Sequence, residues 1–454
     1  MTLGCPKNQV DSDKLEGLLH SKGFKESENL ETADLLVVNT CAFIEVAREE
    51  SIEAILELAA RKAPNSKLAV TGCLAERYGS ELKKEMPEID VVAGFGEDFT
   101  TVLKPSGITA VNMPTRRIAK AGDIKLPKFD LEYLKRPKSR EPWSYIKVAE
   151  GCDRKCGFCA IPSFRGKQRS RTLESVIQEV ESLEIKEAVL VAQDLASYGR
   201  DIGIDDGINK LIVEVAGKVD WVRLLYLYPS SLNDRLIESV IGTGIPYFDL
   251  SLQHVSAPLV KKMRRYGSYE IFSKKIEKIR ELEPNAVMRS SFLIGYPGET
   301  ESDHDELLRF IEEMQLDWIG FFTFSAEEGT YALSLENTVP KSLARERLLE
   351  ASLLQDSITA RKREELVGST IEVLVDSSST GRSFREAPEI DGVVMINGIS
   401  DFGSGSDLTI DSLPMPANPM VTPKDFVGEI FQVEVVSSMG PDLEAKVVSS
   451  RDEY

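Results

Sequence analysis

The first hundred residues alternate between short apolar runs and longer stretches in which apolar positions recur every three or four residues. The short runs predict buried strands, and the longer stretches predict amphipathic helices. Strands are predicted at 34–39, 67–71 and 90–93, and helices at 10–20, 45–61 and 75–86. Connections of helix length between strands are typical of a parallel sheet with helices on both faces. The pattern therefore predicts an α/β domain over residues 1–104.

The same alternation returns from Trp143 and continues to about residue 365, after a proline-rich stretch at 105–142 that predicts a linker. Strands are predicted at 145–148, 188–192, 222–227, 247–252, 287–294 and 318–324. Helices are predicted at 173–183, 208–219, 232–241, 269–282, 301–314 and 343–366, with Ser231 and Asp234 at the start of the third. Six β/α units predict a partial (β/α)6 barrel resembling a TIM barrel, with its active site at the carboxyl ends of the strands.

The last segment, 366–454, changes to β runs at 371–375, 393–396 and 429–436, separated by glycine and serine. These runs predict a small antiparallel β-barrel. Residues 399–424 are rich in Ser, Gly, Pro and Asp and predict a long loop.

Charge and composition narrow the class of partner. The net charge is −19, from 55 basic and 74 acidic residues, and the last segment alone has 15 acidic and 5 basic residues. Such a surface repels nucleic acid and favours a basic protein partner. No signal peptide and no membrane-spanning run are predicted, so the expected location is the cytoplasm. Three histidines are too few for a histidine-rich metal site.

Three cysteines form a compact motif directly after the strand predicted at 145–148. Cys152, Cys156 and Cys159 have the spacing C-x3-C-x2-C. Three thiolates on one loop hold three corners of an iron–sulfur cluster and leave the fourth iron open to a small molecule. The alternative is a zinc loop completed by a distant fourth ligand.

The other three cysteines each follow a predicted strand. Cys41 and Cys73 lie just past the strands at 34–39 and 67–71, and Cys5 follows the short stub from Met1 to Leu3. Because the carboxyl ends of parallel strands share one edge, these cysteines are expected to lie together. The alternative is three unrelated buried residues, since free cysteine is often part of a core.

Other strand ends in the barrel carry polar residues or glycine. Gln193 and Asp194 follow the second strand, Gln253 and His254 end the fourth, and residues 295–299 follow the fifth. Each of these segments is either a cofactor contact or an ordinary turn. His254 is either a hydrogen-bonded structural residue or a proton carrier. A basic run formed by Arg165, Lys167, Arg169 and Arg171 is either a solvated loop or a guide for anionic groups.

The cysteine loop, with Phe158 before its last cysteine, resembles the radical S-adenosylmethionine (SAM) enzymes, and the whole layout resembles their methylthiotransferase family. That family joins an N-terminal α/β domain, a radical SAM barrel and a C-terminal TRAM barrel. Eight short segments, several of them built around cysteine or glycine, carry the resemblance. They are 4–8, 39–41, 71–73, 150–152, 161–163, 252–254, 295–300 and 387–392. Within the family, they are most similar to the branch that modifies small-subunit ribosomal protein twelve. The alternatives are the branch that modifies tRNA adenosine and a non-catalytic iron–sulfur or zinc scaffold.

The resemblance implies two four-iron, four-sulfur clusters and SAM. Cys152, Cys156 and Cys159 would hold the SAM-cleaving cluster, and Cys5, Cys41 and Cys73 would hold an auxiliary cluster that carries sulfur. Electron transfer to SAM would form a deoxyadenosyl radical, which takes hydrogen from the β-carbon of a substrate aspartate before a methylthio group is delivered.

No catalytic residue beyond the cluster ligands is implied. The expected cofactor contacts are residues of the cluster loop and strand ends, namely Phe158, Gln193, Asp194, Gln253, Gly295 and Glu299. A low-potential electron donor and a sulfur donor are implied as partners, with a basic ribosomal protein as substrate and no direct nucleic-acid substrate. The family normally has a full strand before Gly4 and Cys5, so a longer natural start is expected. The segment 399–424 is longer than a compact TRAM barrel needs.

Overall fold

A computed structural model describes residues 1–27, 29–95, 97, 98, 100, 131–398 and 426–450. The α/β class and the three-part layout that the sequence predicts are confirmed. Within the described residues, no helix combines the length and apolar character that crossing a membrane requires. The predicted loop at 399–424, and the linker as far as residue 130, lie outside this part of the chain.

The N-terminal domain contains a parallel three-stranded sheet in the order β1-β2-β3. Its strands are β1 (Leu35–Thr40), β2 (Lys67–Gly72) and β3 (Val91–Val92), and its helices are α1 (Pro6–Ser21), α2 (Glu45–Arg61) and α3 (Cys73–Glu85). Thr40 pairs with Gly72, so β1 and β2 end side by side. Thr2 forms a parallel bridge to Asn39, which places the start of the chain along β1.

The central domain is an open barrel of six parallel strands in the order β11-β10-β9-β8-β7-β4. The barrel strands are β4 (Trp143–Lys147), β7 (Glu187–Val191), β8 (Trp221–Leu227), β9 (Tyr247–Gln253), β10 (Val287–Ile294) and β11 (Trp318–Thr323). A separate two-stranded ribbon beside the cysteine loop consists of β5 (Ala149–Glu150) and β6 (Arg169–Ser170). Its helices are α4 (Ile161–Phe164), α5 (Leu173–Leu183), α6 (Gly207–Ala216), α7 (Asp234–Ile241), α8 (Ala257–Lys262), α9 (Tyr269–Leu282), α10 (Glu301–Met314) and α11 (Lys341–Glu364). Apolar side chains on the outer face of the sheet and the inner faces of these helices form the largest core.

The predicted start of α7, with Ser231 as the capping residue, is wrong by two positions. Asn233 is the residue before the first turn, and its side-chain oxygen accepts a hydrogen bond of 2.9 Å from the backbone N–H of Leu236. Asparagine caps a helix as well as serine does. Ser231 instead ends a short 3-10 turn and accepts a hydrogen bond from Arg154.

The C-terminal segment forms a closed five-stranded barrel. Its strands are β12 (Thr370–Val375), β13 (Thr380–Arg382), β14 (Val394–Asn397), β15 (Ile430–Met439) and β16 (Asp442–Ser450). The predicted β-barrel is confirmed, but the pair β14 and β16 runs parallel, unlike the other four pairs of neighbouring strands. The sequence analysis missed the short strand β13 and also missed β16, although Asp442, Glu444 and Lys446 alternate there with apolar residues.

The two outer domains cover opposite ends of the central barrel. Helix α1 lies at the carboxyl ends of the strands, where its Val10 packs with Val191 and Leu225. The C-terminal barrel lies at the other end, where Tyr145 Oη donates a 2.9 Å hydrogen bond to the carbonyl of Pro388 and Trp318 Nε1 donates a 2.8 Å bond to the carbonyl of Arg385. Among the described residues, the N-terminal domain therefore meets the predicted active-site end, whereas the C-terminal barrel meets the opposite end.

Candidate metal centre

Cys152, Cys156 and Cys159 lie in the loop between β5 and α4, at the carboxyl end of the first barrel strand. Backbone hydrogen bonds hold this loop at both ends and in the middle. The N–H of Cys152 bonds to the carbonyl of Gly166 at 3.0 Å, and the N–H of Gly157 bonds to the carbonyl of Met263 at 2.8 Å. These bonds fix the loop against the rest of the central domain.

Two arginines fix the cysteine loop against neighbouring strand ends. Arg154, inside the loop, donates from Nε to Asp194 Oδ2 at 2.6 Å. Arg265 donates from Nη1 to Cys156 Sγ at 3.1 Å. Both guanidinium groups stack on the ring of Tyr228, at 3.9 Å and 4.4 Å from its centroid. Positive charge is thus concentrated beside the sulfurs.

Cys5, Cys41 and Cys73 come together at the carboxyl edge of the N-terminal sheet. Cys5 precedes α1, Cys41 follows β1, and Cys73 is the first residue of α3. Gly4, at φ +95°, is so close to Cys41 that a Cβ built on it would lie 2.7 Å from Cys41 Cβ and 2.9 Å from Cys41 Sγ. The sequence separation of these cysteines is large, and the parallel topology brings them to one place.

The six thiols are free, and burial raises the pKa of four of them. Burial raises the pKa of Cys41 to about 12, that of Cys152 to about 11 and that of Cys159 to about 12. The pKa of Cys73 is also raised by burial. For Cys5, burial acts in the same direction but is outweighed by the charges of Lys7 and Arg165, so its pKa is lowered. Buried thiols of this kind become thiolates when a metal replaces the proton.

A buried ion network joins the two cysteine sets. Lys147 Nζ, at the end of β4, contacts the carboxylates of Asp11, Glu132 at 2.7 Å and Glu150 at 2.8 Å. Glu150 directly precedes the cysteine loop, and it also accepts hydrogen bonds from Gln193 Nε2 at 2.9 Å and from the N–H of Gly151 at 3.0 Å. Opposite charges offset the desolvation of each group only because the network is this complete.

Both interpretations of the basic run are wrong for two of its residues. Arg165 and Arg171 are only 6% and 3% exposed, so they neither form a solvated loop nor face the solvent as an anion guide. Arg171 pairs with Glu179 at 2.7 Å, and Arg165 pairs with Glu150 at 2.8 Å. Charge patterning along the chain did not reveal this burial, because the acidic partners come from other elements.

The structure places Gln193 and Asp194 next to the cysteine loop. Gln193 follows β7, and its Oε1 has no hydrogen-bond partner among the described residues although it is inaccessible. Asp194 uses Oδ2 to bind Arg154 and Ser197, while its Oδ1 is equally without a partner in the described part of the chain. Two inaccessible acceptors beside the cysteines are consistent with a polar ligand at this position.

Gln253 and His254 follow β9 at the same end of the barrel. Gln253 has φ +73°, a conformation that non-glycine residues rarely adopt and that often marks a functional site. His254 is fully buried, and its Nδ1 accepts a 3.1 Å hydrogen bond from the N–H of Ser256. Burial lowers the pKa of His254 to about 4, so its ring is neutral at neutral pH. This favours a structural role over proton transfer.

Glu299, Gly295 and Phe158 lie around the turn after β10. The Glu299 carboxylate accepts hydrogen bonds from the N–H groups of Gly295 and of Tyr296, and it pairs with Arg347 at 2.9 Å. Phe158 packs edge-on against the Tyr296 ring, with centroids 6.5 Å apart. These residues share one wall of the site, and their predicted contacts with a cofactor stay predictions.

Neither cysteine set is arranged as a compact site for a single ion. In the described part of the chain, the three ligand-type side chains whose ligand atoms all lie within 4.8 Å of one another are Asp11, Glu132 and Glu150. That space is taken by the Lys147 ammonium. Neither cysteine set is so compact, whereas tetrahedral zinc with bonds of about 2.3 Å needs its sulfurs to be about 3.8 Å apart.

Sequence reasoning missed two arginines whose side chains lie beside the cysteine loop. Arg154 lies between two cysteines and Arg265 follows α8, and neither position carries a motif that distinguishes it from a surface residue. Tyr226, at φ +65° inside β8, was missed as well. Its ring lies under Lys7 Nζ at 3.9 Å and so connects β8 with the segment after Cys5.

Family models match the three domains in turn. Uncharacterized protein family UPF0004 matches residues 1–94, the Radical SAM superfamily matches 146–311, and the TRAM domain matches 367–448. Together with the six-cysteine site, this order of domains defines the chain as a radical SAM methylthiotransferase.

Relatives over the whole length define the family more closely. Proteins called ribosomal protein uS12 methylthiotransferase RimO are 36% identical in Koribacter versatilis, covering 99% of this chain and 95% of that protein, and 40% identical in Moorella thermoacetica, covering 95% and 98%. The Aquifex aeolicus protein of the same name is 40% identical and covers 90% and 93%. The chain belongs to the RimO family of ribosomal protein uS12 methylthiotransferases.

Solved structures agree on the fold. The radical SAM methyltransferase TsrM from Kitasatospora setae, solved with tryptophan substrate and a SAM analogue, superposes with a TM-score of 0.51 at 14% sequence identity. The match covers 78% of this chain and 87% of that one.

Proposed function

We propose that this protein adds a methylthio group to the β-carbon of an aspartate in ribosomal protein uS12. The observation that carries the proposal is the presence of two separate sets of three free cysteines, brought to one interface in a chain of the RimO family. Each set provides three thiolates for a four-iron cluster and leaves one iron without a protein ligand. An unactivated C–H bond is beyond the reach of ordinary acid–base side chains, so cofactors must supply the reactivity.

Six residues would hold the two clusters. When bound, the cluster at Cys152, Cys156 and Cys159 would supply the electron that cleaves SAM, and the cluster at Cys5, Cys41 and Cys73 would supply the sulfur. The donor set fits because an arginine lies at hydrogen-bond distance from one sulfur of each set, 3.2 Å for Cys73 and 3.1 Å for Cys156. Guanidinium groups of this kind balance the negative charge that thiolate ligands bring.

The strand ends around the cysteine loop would bind SAM. The free acceptors of Gln193 and Asp194 are suited to its amino and hydroxyl groups, and the strained Gln253 would present its amide at the same end. Gly295 and Glu299 would shape the wall through their mutual hydrogen bond, and Phe158 would exclude water from one side. The expected role of these residues is to orient SAM and keep the site dry.

Charge supports a protein substrate. The C-terminal segment, with 15 acidic and 5 basic residues, favours a basic protein such as a ribosomal protein over RNA. A ribosomal substrate also implies a cytoplasmic location. A low-potential electron donor and a sulfur donor complete the set of proposed partners.

The first test asks whether the clusters exist. Anaerobically purified protein should contain about eight irons and a matching amount of sulfide per chain, and it should form deoxyadenosine from SAM under reduction. Zinc without iron would contradict the proposal and leave a scaffold. A second test uses a deletion strain. Mass spectrometry should show that uS12 loses the methylthio mass while tRNA keeps it, and the reverse result would assign the tRNA branch.

Mutation is expected to separate the activities of the two cysteine sets. Cys156→Ala should abolish deoxyadenosine formation, because the set that binds SAM loses a ligand. Cys41→Ala should keep deoxyadenosine formation but stop methylthio transfer. If Cys156→Ala still cleaves SAM, the assignment of that set is wrong.

A further inference from the structure

Arg165 is a buried cation that contacts residues beside both cysteine sets. Its Nη2 donates to Asn8 Oδ1 at 2.7 Å and to Cys73 Sγ at 3.2 Å. Its Nη1 donates to Glu150 Oε2 at 2.8 Å, and Asp11 Oδ2 lies 3.3 Å from Nη2. These contacts fix the orientation of the guanidinium, because its planar fork of N–H groups donates to several acceptors at once.

The partners of Arg165 belong to different domains. Cys73, Asn8 and Asp11 are part of the N-terminal domain, whereas Glu150 leads directly into the loop of Cys152 in the barrel. The ring of Phe95, from the N-terminal domain, covers the guanidinium at 4.2 Å. Water is therefore largely excluded from the charge, and its effect on the nearby sulfur is stronger than at an exposed position.

A hydrogen bond from a cation to a ligand sulfur changes the redox properties of a cluster. Hydrogen bonds to the sulfurs, net charge and solvent exposure set the reduction potential of iron–sulfur clusters. Because reduction adds an electron, a nearby buried positive charge stabilises the reduced form and raises the potential. Arg265 has the corresponding position at Cys156 in the other set, although it is less enclosed by acidic partners.

We propose that Arg165 is a positioning residue for the auxiliary cluster. It holds the Cys73 ligand at a set place relative to the loop of Cys152, and it raises the reduction potential of the cluster bound by Cys5, Cys41 and Cys73. This inference rests on the proposed function, since it requires that both cysteine sets hold clusters.

The test compares Arg165→Gln and Arg165→Lys with the unmodified full-length protein after anaerobic reconstitution. Iron and sulfide are counted first, and then redox titration followed by electron paramagnetic resonance gives the midpoint potential of each cluster. Arg165→Gln should lower the potential of the auxiliary cluster more than that of the SAM-cleaving cluster. Arg165→Lys keeps the charge but not the fork, so its auxiliary potential should lie between those of Arg165→Gln and the unmodified protein.

The matched control is Arg265→Gln, which should lower the potential of the SAM-cleaving cluster more than that of the auxiliary one. If Arg165→Gln does not retain the auxiliary cluster, Arg165→Lys decides the question by itself. An auxiliary potential in Arg165→Lys or Arg165→Gln equal to or above the unmodified value overturns the proposal. Fewer than two clusters in the unmodified protein would instead contradict the proposed function, so the two failures are distinguishable.

Discussion

A single added methyl group at Gly4 tests whether the first three cysteines are packed as one site. In Gly4→Ala, the new Cβ would lie 2.7 Å from Cys41 Cβ and 2.9 Å from Cys41 Sγ, closer than carbon and sulfur atoms approach. Cys41 cannot retreat as a unit, because its N–H bonds to Ser51 Oγ at 3.0 Å and its carbonyl accepts from the same hydroxyl at 3.0 Å. Rotation of the Cys41 side chain would relieve only the contact with Sγ, so the Gly4 segment must also shift, and the position of Cys41 Sγ relative to the neighbouring cysteines changes.

Two costs combine in Gly4→Ala, and a second glycine separates them. The backbone at φ +95° disfavours an L-residue by about 1–2 kcal/mol, and overpacking adds about 1–3 kcal/mol. Gly23 has φ +89° and nothing within 4 Å of a built Cβ. Gly23→Ala therefore carries the backbone cost alone, about 1–2 kcal/mol. The free energy of unfolding should fall by about 1–3 kcal/mol more in Gly4→Ala than in Gly23→Ala.

The assay is the iron count together with deoxyadenosine formation. Gly4→Ala should fall from about eight to about four irons per chain and still form deoxyadenosine, whereas Gly23→Ala should keep about eight irons. Both variants should be folded by circular dichroism. Full iron content in Gly4→Ala, with the same unfolding free energy as Gly23→Ala, would refute the packing of Gly4 against Cys41 and the grouping of the three cysteines.

Three further outcomes are expected. Glu327 pairs with Arg48 at 2.5 Å and with Arg77 at 2.6 Å, so Glu327→Gln should lower the free energy of unfolding by about 1–3 kcal/mol and increase hydrogen exchange in the N-terminal domain. Glu328→Gln should change neither, because Glu328 contacts Arg77 through its backbone carbonyl. His254 should not titrate by NMR between pH 8 and pH 5, and a normal titration would contradict its burial. Because its folded pKa lies below the unfolded value of about 6.5, it contributes about 3 kcal/mol to the free energy of unfolding above pH 6.5, and this contribution is lost as the pH falls towards 4. Tyr145→Phe should lower the free energy of unfolding by about 1–3 kcal/mol in urea titrations, because the carbonyl of Pro388 loses its donor, and an unchanged value would contradict that contact.

The two ends of the central barrel contact different domains. Asp11 on α1 and Lys147 at the end of β4 pair inside the active-site end. At the other end, Arg382 of the C-terminal barrel pairs with Glu187 at 2.6 Å, and Tyr247 donates to Asp391. The described part of the C-terminal barrel is therefore anchored at the end of the central barrel that lies away from the cysteines.

Much of the fold follows from local pattern. The predicted helices at 45–61, 173–183, 269–282 and 301–314 and the predicted strand at 287–294 have the observed bounds. These elements have a clear period and terminal signals, such as Thr300 before α10, whose side chain caps the helix. The cysteines were predictable for the same reason, because their spacing and their position after a strand are properties of the chain itself.

What the sequence by itself determined is thus the order of the long strands and helices, the two cysteine sets and the class of chemistry they serve. Only the tertiary structure decided that Arg165 is a buried link to Cys73 and Glu150, that Lys147 rather than a metal fills the acidic group, and that His254 is neutral. The physical reason is that spacing and periodicity act over a few residues, whereas burial and charge compensation depend on partners from other elements, some of them more than a hundred residues away, such as Asp11 for Arg165.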